Sequence, residues 1–327
     1  MSFEAPSEQP KKPSRRITIR KPKEDSEEGA TAKAASPARP EASEGRRSVG
    51  RSFRFPPSPE ILAKREAEAR DREAAYGERL REARELLGDR VFGPEEVEKT
   101  FGFKPENIPP ILYSRQDFEK AKELGEMLIL RMDKDKDGNP LTMQRIQVLL
   151  EPSLVAEGKG KVGYSDWSQS TESFETLDTP KLEWKLVSMD LLSGSTNKDY
   201  IEQTALLRDY FAKNKLATPE ELAECTDQRL KEIRNLMKTD WAAAAEALSN
   251  LLINKDHRTA PVEDIYDLVV PLKSRNTRRL ENVYNWTSRR GSDGDLVCVG
   301  RFAAQGALRG WWGPDDRDGD LGVCSVR

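Results

Sequence analysis

Apolar residues recur at helical spacing over most of this chain, and short alternating or continuous apolar runs replace that spacing towards the C-terminus. Residues 58–88 combine Ala, Glu, Arg and Leu with a proline in the first turn, and they end at a glycine, so the pattern predicts a charged helix. Its apolar residues return every seven positions, as in a coiled coil, but alanine fills two of those positions. We therefore interpret the segment as a single charged helix, lightly docked or paired.

Residues 94–275 are predicted to form one mainly helical domain. Capping residues and helix-opening prolines mark the helix starts in this region, at Ser114, Thr218, Asp240 and Pro261. Residues 154–179 are polar and contain glycine and serine, so they predict a long loop or a weak hairpin. Residues 182–189 alternate apolar and polar, which predicts a half-buried strand that could pair with the end of the chain.

The last part of the chain, residues 280–327, contains short runs rich in Trp, Val and Phe that are separated by Gly, Asp and Pro. Such runs are typical of strands and tight turns, so they predict a small β-rich module. The predicted fold class is therefore α+β, with a mainly helical domain followed by a β-rich terminal module.

The first 57 residues are predicted to be a disordered tail, because they mix Pro, Ser, Ala, Glu and basic pairs with few large apolar residues. A mean hydropathy of −0.76 for the whole chain supports some disorder. Residues 1–50 hold 11 Lys and Arg against 8 Asp and Glu. This surplus is too small for a dense phosphate-binding arm, so we favour a solvated tail, and nucleic acid is an unlikely partner.

Composition also bears on the cellular compartment. No stretch approaches the roughly 18 apolar residues of a membrane span, and the N-terminus lacks the apolar core of a signal peptide. Three cysteines do not make a disulfide framework. We therefore predict a cytoplasmic protein with no membrane partner.

Two features could indicate functional sites, but the residues around them favour structural roles. The segment from Asp133 to Gly138 copies the opening of a calcium loop, but Pro140 and Gln144 occupy positions where a strand residue and a bidentate Glu are expected. We interpret it as a solvated turn. The single histidine, His257, lies in a polar connection, where a surface or capping role is commoner than catalysis. We predict no metal and no cofactor.

Three short motifs lie in the terminal module: Trp286-Thr287-Ser288, Val299-Gly300-Arg301-Phe302 and Leu321-Gly322-Val323. Their order resembles the end of the formylglycine-generating-enzyme/sulfatase-modifying domain, a C-type-lectin-like fold. The same fold end carries the hypervariable surface of diversity-generating retroelement target proteins. The resemblance implies a rigid β-scaffold that displays side chains on its closing strands and loop.

On that resemblance we predict a set of contact residues for an unknown protein or small ligand. They are Arg301, Phe302, Gln305, Arg309, Trp311, Trp312, Asp315, Asp316, Arg317, Asp318 and Asp320. A second set is predicted to hold the fold: Trp286, Leu296, Val297, Val299, Leu321 and Val323. The adjacent tryptophans leave two interpretations open, a role in the core and a binding hot spot.

We predict from these features a ligand- or protein-binding protein that is not an enzyme, with a recognition surface that a retroelement could diversify. The first alternative is a relative of the formylglycine-generating oxidases. It would need a redox pair, and Cys298 and Cys324 are the only candidates because residues 303–312 contain no cysteine. The second alternative is a nucleic-acid-associated protein that uses the basic tail and a group of arginines. Those arginines are Arg275, Arg278, Arg279, Arg289 and Arg290.

Overall fold

The computed structural model of the protein describes residues 59–163, 172–292 and 294–327. The predicted tail of residues 1–57 lies outside the described residues. Helices predominate and two sheets are present, so the fold class is α+β. None of the helices in the described ranges has the length and apolar character needed to cross a membrane.

Helix α1, Pro59–Leu87, occupies the segment that was predicted as a charged helix. It is followed by strand β1, Val91–Phe92, and by helices α2, Pro94–Phe101, and α3, Arg115–Leu124. Ser114 caps α3 through a capping box with Asp117, as the sequence predicted.

Two strands of a three-stranded sheet lie within residues 94–275, the region that was predicted to be mainly helical. Strand β2, Glu126–Arg131, is entirely buried and pairs in parallel with β1 and antiparallel with β3, Glu183–Ser188. The strand predicted over residues 182–189 is therefore confirmed. Between these strands lie helices α4, Met143–Ala156, and α5, Ser173–Leu177. The prediction of a loop or hairpin over residues 154–179 was therefore wrong at 154–156 and 173–177, and the other described residues of that segment form turns and irregular structure.

Six helices follow β3, and they are α6, Tyr200–Lys213; α7, Pro219–Glu224; α8, Asp227–Met237; α9, Trp241–Asn250; α10, Leu252–His257; and α11, Pro261–Arg275. Thr218 accepts a hydrogen bond from the Glu221 amide, and Asp240 accepts one from the Ala243 amide. The predicted caps of α7 and α9 are therefore confirmed.

The second sheet has the strand order β6-β5-β4-β7. Its strands are β4, Tyr284–Arg290; β5, Leu296–Ala303; β6, Gly306–Trp312; and β7, Leu321–Gly322. Strand β5 pairs antiparallel with β4 and β6, and β7 lies parallel to β4. A side chain at Gly300 would overlap the backbone of Val283 and Tyr284, which explains why the second motif carries glycine there.

This sheet is buried on both faces. Val297 and Val299 of β5 belong to a first core that also contains residues of α1–α4, β2 and α11. Leu296 and Cys298, which alternate with them, belong to a second core formed with α6 and α8–α10. Residues Pro57–Arg327 accordingly form one compact unit. The predicted helical domain, residues 94–275, and the predicted module, residues 280–327, thus share both cores.

The end of the chain pairs with β3. The Leu186 amide donates to the Arg327 carbonyl at 3.0 Å, and the Arg327 amide donates to the Leu186 carbonyl at 2.9 Å. Val326 also forms an antiparallel bridge with Val187. The predicted pairing of residues 182–189 with the terminal module is confirmed.

Candidate binding surface

The segment between β6 and β7, residues 313–320, docks on the start of helix α6, and we call it the closing loop. The Tyr200 amide donates to the Pro314 carbonyl at 3.1 Å, and the Asn197 amide donates to the Asp318 carbonyl at 2.9 Å. These two backbone bonds fix both halves of the loop. The loop is thereby held by a helix that lies more than a hundred residues earlier in the chain.

A network of charges reinforces this docking. Asp199 is the N-cap of α6, and its side chain is only 2% exposed. Arg317 of the closing loop donates to Asp199 and to Glu202, each at 2.9 Å. Arg234 of α8 donates to both oxygens of the same Asp199 carboxylate, at 2.9 and 3.0 Å. Two carboxylates and two guanidinium groups therefore balance each other beneath the loop.

The tip of the closing loop is exposed and acidic. Asp315 and Asp316 are both exposed. Asp316 accepts a hydrogen bond from the Gly313 amide at 2.8 Å, and within the described ranges neither aspartate forms an ion pair. Asp318 is half-buried and accepts from the Asp320 amide at 2.7 Å. The tip therefore presents negative charge on a backbone that its own hydrogen bonds hold in place.

Arg301 and Gln305 lie outside the closing loop, and Arg301 contacts the last residue of the loop, Asp320. Arg301 donates to Asp320 at 2.5 Å, and its guanidinium carbon lies 5.3 Å from the centroid of the Tyr284 ring. Arg301 adopts a positive φ of 43° beside the irregular pairing of β5 with β6, which is uncommon for arginine. Gln305 is exposed in the tight turn between Ala303 and Gly306.

Trp311 and Trp312 point to opposite faces of β6, as extended backbone requires. Both rings are half-buried: Trp311 packs on the first core and Trp312 on the second. Arg309 forms an ion pair with Glu175, and its guanidinium carbon lies 4.9 Å from the Trp311 centroid. Burial lowers the pKa of Arg309 to about 10. These three side chains are therefore chiefly parts of the packing, and each keeps an accessible fraction.

Phe302 belongs to the framework instead of the contact set. Its side chain is fully buried in the first core, where the guanidinium carbon of Arg278 lies 5.3 Å from its ring centroid. A partner cannot touch a side chain with no exposed surface, so the structure corrects this assignment. The predicted framework set is confirmed, because all six of its members are fully buried: Trp286, Leu296, Val297, Val299, Leu321 and Val323.

A groove of about 590 Å³ runs along α6 from the docking point of the closing loop. Leu192, Ala205, Leu206 and Tyr210 supply apolar lining, and the polar lining is Ser193, Lys198, Glu202, Asp209 and Lys213. Glu202 belongs both to the groove and to the Arg317 network, so the groove and the closing loop form one continuous surface.

The candidate redox cysteines are both buried and free. Cys298 lies in the second core and Cys324 in the first. Burial raises the pKa of each thiol to about 12, which disfavours the thiolate that redox and metal chemistry require.

Three arginines of the nucleic-acid alternative are committed to internal contacts. Arg275 pairs with Glu96 at 2.6 Å. Arg278 donates to the carbonyls of Lys159, Phe302 and Ala303. Arg279 is buried and donates to the carbonyls of Ser188, Met189 and Asp267. These side chains hold segments together and do not form an exposed basic face.

The residues at the calcium-like turn and the lone histidine are structural. The Asp135 carboxylate accepts from Arg145, Asn139 and the Asp137 amide, and it closes the turn. His257 is buried instead of lying at the surface as predicted, and its ring stacks on Phe211 with centroids 3.7 Å apart. Within the described ranges, no three His, Cys, Asp or Glu side chains are grouped so as to hold a metal ion.

Sequence reasoning missed Asp199, Arg234 and the α6 groove. The spacing of Asp199 and Glu202 is a capping-box signal that could have located the helix start. Nothing in the sequence indicated that the closing loop would dock there. Comparisons of the chain with known protein families, with curated proteins and with solved structures found no match.

Proposed function

We propose that the protein is a non-catalytic recognition protein, and that the closing loop together with the α6 groove binds a segment of a partner protein. The observation that carries this proposal is the Arg317–Asp199–Arg234 network, which fixes an exposed acidic loop at one end of an apolar groove. A preorganised surface binds more tightly because less conformational entropy is lost on association.

The charges of the surface define the partner segment. Asp315, Asp316 and Asp318 outweigh Lys198 at the start of α6, so this end attracts Lys or Arg. Lys213 lies at the other end of α6, and it attracts Asp or Glu. Because α6 has 14 residues, the two ends of the helix are roughly 20 Å apart. Between the two ends, Leu206 and Tyr210 line a site for an apolar side chain. The fitting occupant is an amphipathic peptide segment with a basic and an acidic end.

A peptide-display selection on the full chain tests this proposal. Binders of the wild-type protein are recovered and their affinities measured for two variants, D315N/D316N and L206R. We expect enriched peptides to carry a basic end and an apolar centre. The first variant is expected to weaken binding about fivefold or more through loss of rim charge. Leu206→Arg is expected to abolish binding, because the new side chain fills the groove.

The matched control is E98Q/E106Q, which removes two exposed carboxylates on the α2 side of the protein. Its binding should equal that of the wild type. Peptides that lack a basic end, or that bind D315N/D316N and L206R as well as the wild type, would overturn the proposal.

The oxidase alternative has less physical support. Its only candidate cysteines lie in different cores, and burial raises the pKa of both thiols. Oxidation of a cysteine-containing sulfatase peptide by the wild type, and its loss in Cys298→Ala, would establish that alternative in place of a binding function.

The lectin-like resemblance and diversification by a retroelement are a finer form of the same proposal. Diversified positions are expected among the accessible residues Gln305, Asp315 and Asp316. Phe302 should be spared because it is buried, and Arg317 because it anchors the closing loop. The neighbouring DNA provides the test. A reverse transcriptase and a near-copy of the last coding segment that differs mainly at adenines are expected, and their absence would remove diversification while leaving peptide binding intact.

A further inference from the structure

A second concave site, distinct from the closing loop, lies where the end of β4 meets the start of α11. It has a volume of about 530 Å³, within the usual range for small-molecule sites. Residues from five segments line it: Lys181, Ser249, Asn250, Lys255, Arg258, Ala260, Glu263, Ser288, Arg289 and Arg290. We call it the basic pocket, because its lining contains five basic side chains and one acidic one.

The single acid does not neutralise the pocket. Glu263 is engaged elsewhere: it pairs with the buried Arg131 at 3.0 Å and accepts from the Ala260 amide at 2.8 Å. Two of the cations have partners outside the lining, since Arg289 pairs with Asp178 at 2.7 Å and Arg290 lies 3.6 Å from Glu246. The remaining cations form no ion pair within the described ranges, and they are Lys181, Lys255 and Arg258.

Arg258 is the unusual member of this group. It is 2% exposed, and it donates to Asn254, Gln203 and the Trp286 carbonyl, which are all neutral acceptors. Its guanidinium carbon lies 3.9 Å from the centroid of the Tyr200 ring, and its Nη2 has no hydrogen-bond partner among the residues that the structure describes. A buried cation without a carboxylate is costly for a fold to keep. Because the surrounding dielectric is low, its charge adds a positive potential beneath the pocket.

The rest of the lining suits an oxyanion. Asn250 brings an amide donor next to the guanidinium and ammonium groups. The hydroxyls of Ser249 and Ser288 donate to the carbonyls of Glu246 and Thr259, and these two side chains shape the wall of the pocket. Ser288 is fixed in place because its amide donates to the Thr259 carbonyl at 2.9 Å. Several cationic and neutral donors around one concave site are the chemistry that recognises phosphate.

We propose that the basic pocket binds a small molecule through its phosphate group, either a nucleoside phosphate or a sugar phosphate. Arg289 and Arg290 directly follow the first of the three terminal motifs, and this pocket gives them a role that the closing loop does not. The proposal is independent of peptide binding, because it rests on another face of the fold and on other residues.

Calorimetric titration of the full chain at low ionic strength tests this proposal, with inorganic phosphate, ATP and glucose 6-phosphate as probes. The variant K181Q/K255Q replaces two exposed lysines that have no ion-pair partner, so it should fold normally. We expect at least one phosphate ester to bind the wild type, and K181Q/K255Q to weaken it about tenfold. Added salt should weaken binding as well, because partly exposed charges are screened.

The control K99Q/K231Q removes two exposed lysines on α2 and α8, and it should bind within about twofold of the wild type. When the same ligand is added to the wild type, NMR chemical shifts of the backbone amides should change at residues 288–290 and not at the closing loop. Failure of all three probes to saturate, or an equal loss in the control, would overturn the proposal. A single-stranded oligonucleotide that binds more tightly than ATP, with affinity rising with its length, would also overturn it in favour of nucleic acid.

Discussion

Arg317 Nη2 lies 2.9 Å from the Asp199 oxygen that also accepts a hydrogen bond from Arg234. Asp199 is at the same time the N-cap of α6, where it accepts from the Glu202 amide at 2.9 Å. One carboxylate thus starts a helix, joins α8 to α6 and anchors the closing loop. The position of the proposed binding surface therefore depends on a side chain that contributes almost no surface itself.

Replacing Asp199 should loosen the closing loop before it unfolds the protein. Asp199→Ala removes the cap and both ion pairs, and we expect it to lower the free energy of unfolding by about 2 kcal/mol. Asp199→Asn keeps the cap acceptor and should cost about half as much. Chemical denaturation measures both values. In each variant, hydrogen exchange at the Tyr200 and Asn197 amides should accelerate, because these amides bond to the loop.

Asp227→Ala is the matched control. Asp227 pairs with Arg208 at 2.7 Å, but its side chain is largely exposed, so its removal should change stability little. If the Tyr200 and Asn197 amides exchange at the wild-type rate in Asp199→Ala, the carboxylate does not anchor the loop.

The sequence indicated the elements more reliably than their arrangement. Local signals such as the caps at Ser114 and Thr218 identified helix starts, because capping chemistry depends on neighbouring residues alone. The alternation at residues 182–189 likewise identified β3. Continuous apolar runs indicate strands that are covered on both faces, and the predicted framework residues are indeed buried.

The arrangement depends on contacts between distant residues, which the sequence pattern does not reveal. Trp311 and Trp312 were ambiguous because alternation sends them to opposite faces, and only the fold shows that both faces are covered. Phe302 was assigned to the contact set by the resemblance alone, and the sequence did not show that its side chain turns into the first core at an irregular point of the β5–β6 pairing. His257 looked superficial because the residues around it are polar, and its burial comes from packing against α6, α7 and the C-terminal residues.

Asp264 should make stability depend on pH. It is buried, and burial raises its pKa to about 7 from an ordinary 3.8, although Thr259 and Asn285 donate hydrogen bonds that partly offset the effect. Between about pH 4 and pH 7 the folded protein holds this proton and the unfolded chain has lost it. The contribution of Asp264 to the free energy of unfolding is therefore complete below pH 4. It declines as the pH rises to 7, by up to about 4 kcal/mol in total.

Asp264→Asn isolates this effect, since the amide imitates the neutral acid and does not titrate. The free energy of unfolding of the wild type minus that of Asp264→Asn should fall as the pH rises from 4 to 7, because other titrating groups cancel in the difference. Urea denaturation at several pH values measures it. A difference that is constant across this range would show that Asp264 is ionised throughout in the folded protein.

The three cysteines should be unreactive in the native protein. All are buried, and burial raises the pKa of Cys225 to about 11 and those of Cys298 and Cys324 to about 12. Because the thiolate is the reactive form, a thiol reagent at neutral pH should label none of them quickly. After denaturation all three should react. Rapid labelling of Cys298 or Cys324 in the native state would contradict this prediction and support the oxidase alternative.

His257 and Glu221 form a buried pair that should be strongly coupled in stability. The His257 ring lies between two acceptors: Nδ1 is 2.9 Å from the Val326 carbonyl oxygen, and Nε2 is 2.9 Å from Glu221 Oε1. Each ring nitrogen therefore has a polar partner within hydrogen-bond distance. His257→Ala removes both contacts and leaves the buried Glu221 Oε1 without its partner on the ring. We expect it to lower the free energy of unfolding by about 3 kcal/mol, from the lost hydrogen bonds and the lost packing of the ring.

A double-mutant cycle separates the pair from simple loss of packing. Glu221→Gln in the His257→Ala background replaces the carboxylate by a neutral amide. The amide oxygen can still accept from the Thr218 amide, as Glu221 Oε2 does in the wild type. The double variant should therefore be more stable than His257→Ala alone, with a coupling energy of about 1 kcal/mol or more. Val326 should also show faster amide exchange in His257→Ala, because its amide donates to the His257 carbonyl in the same contact. Additive effects in the cycle would mean that His257 acts only by stacking on Phe211.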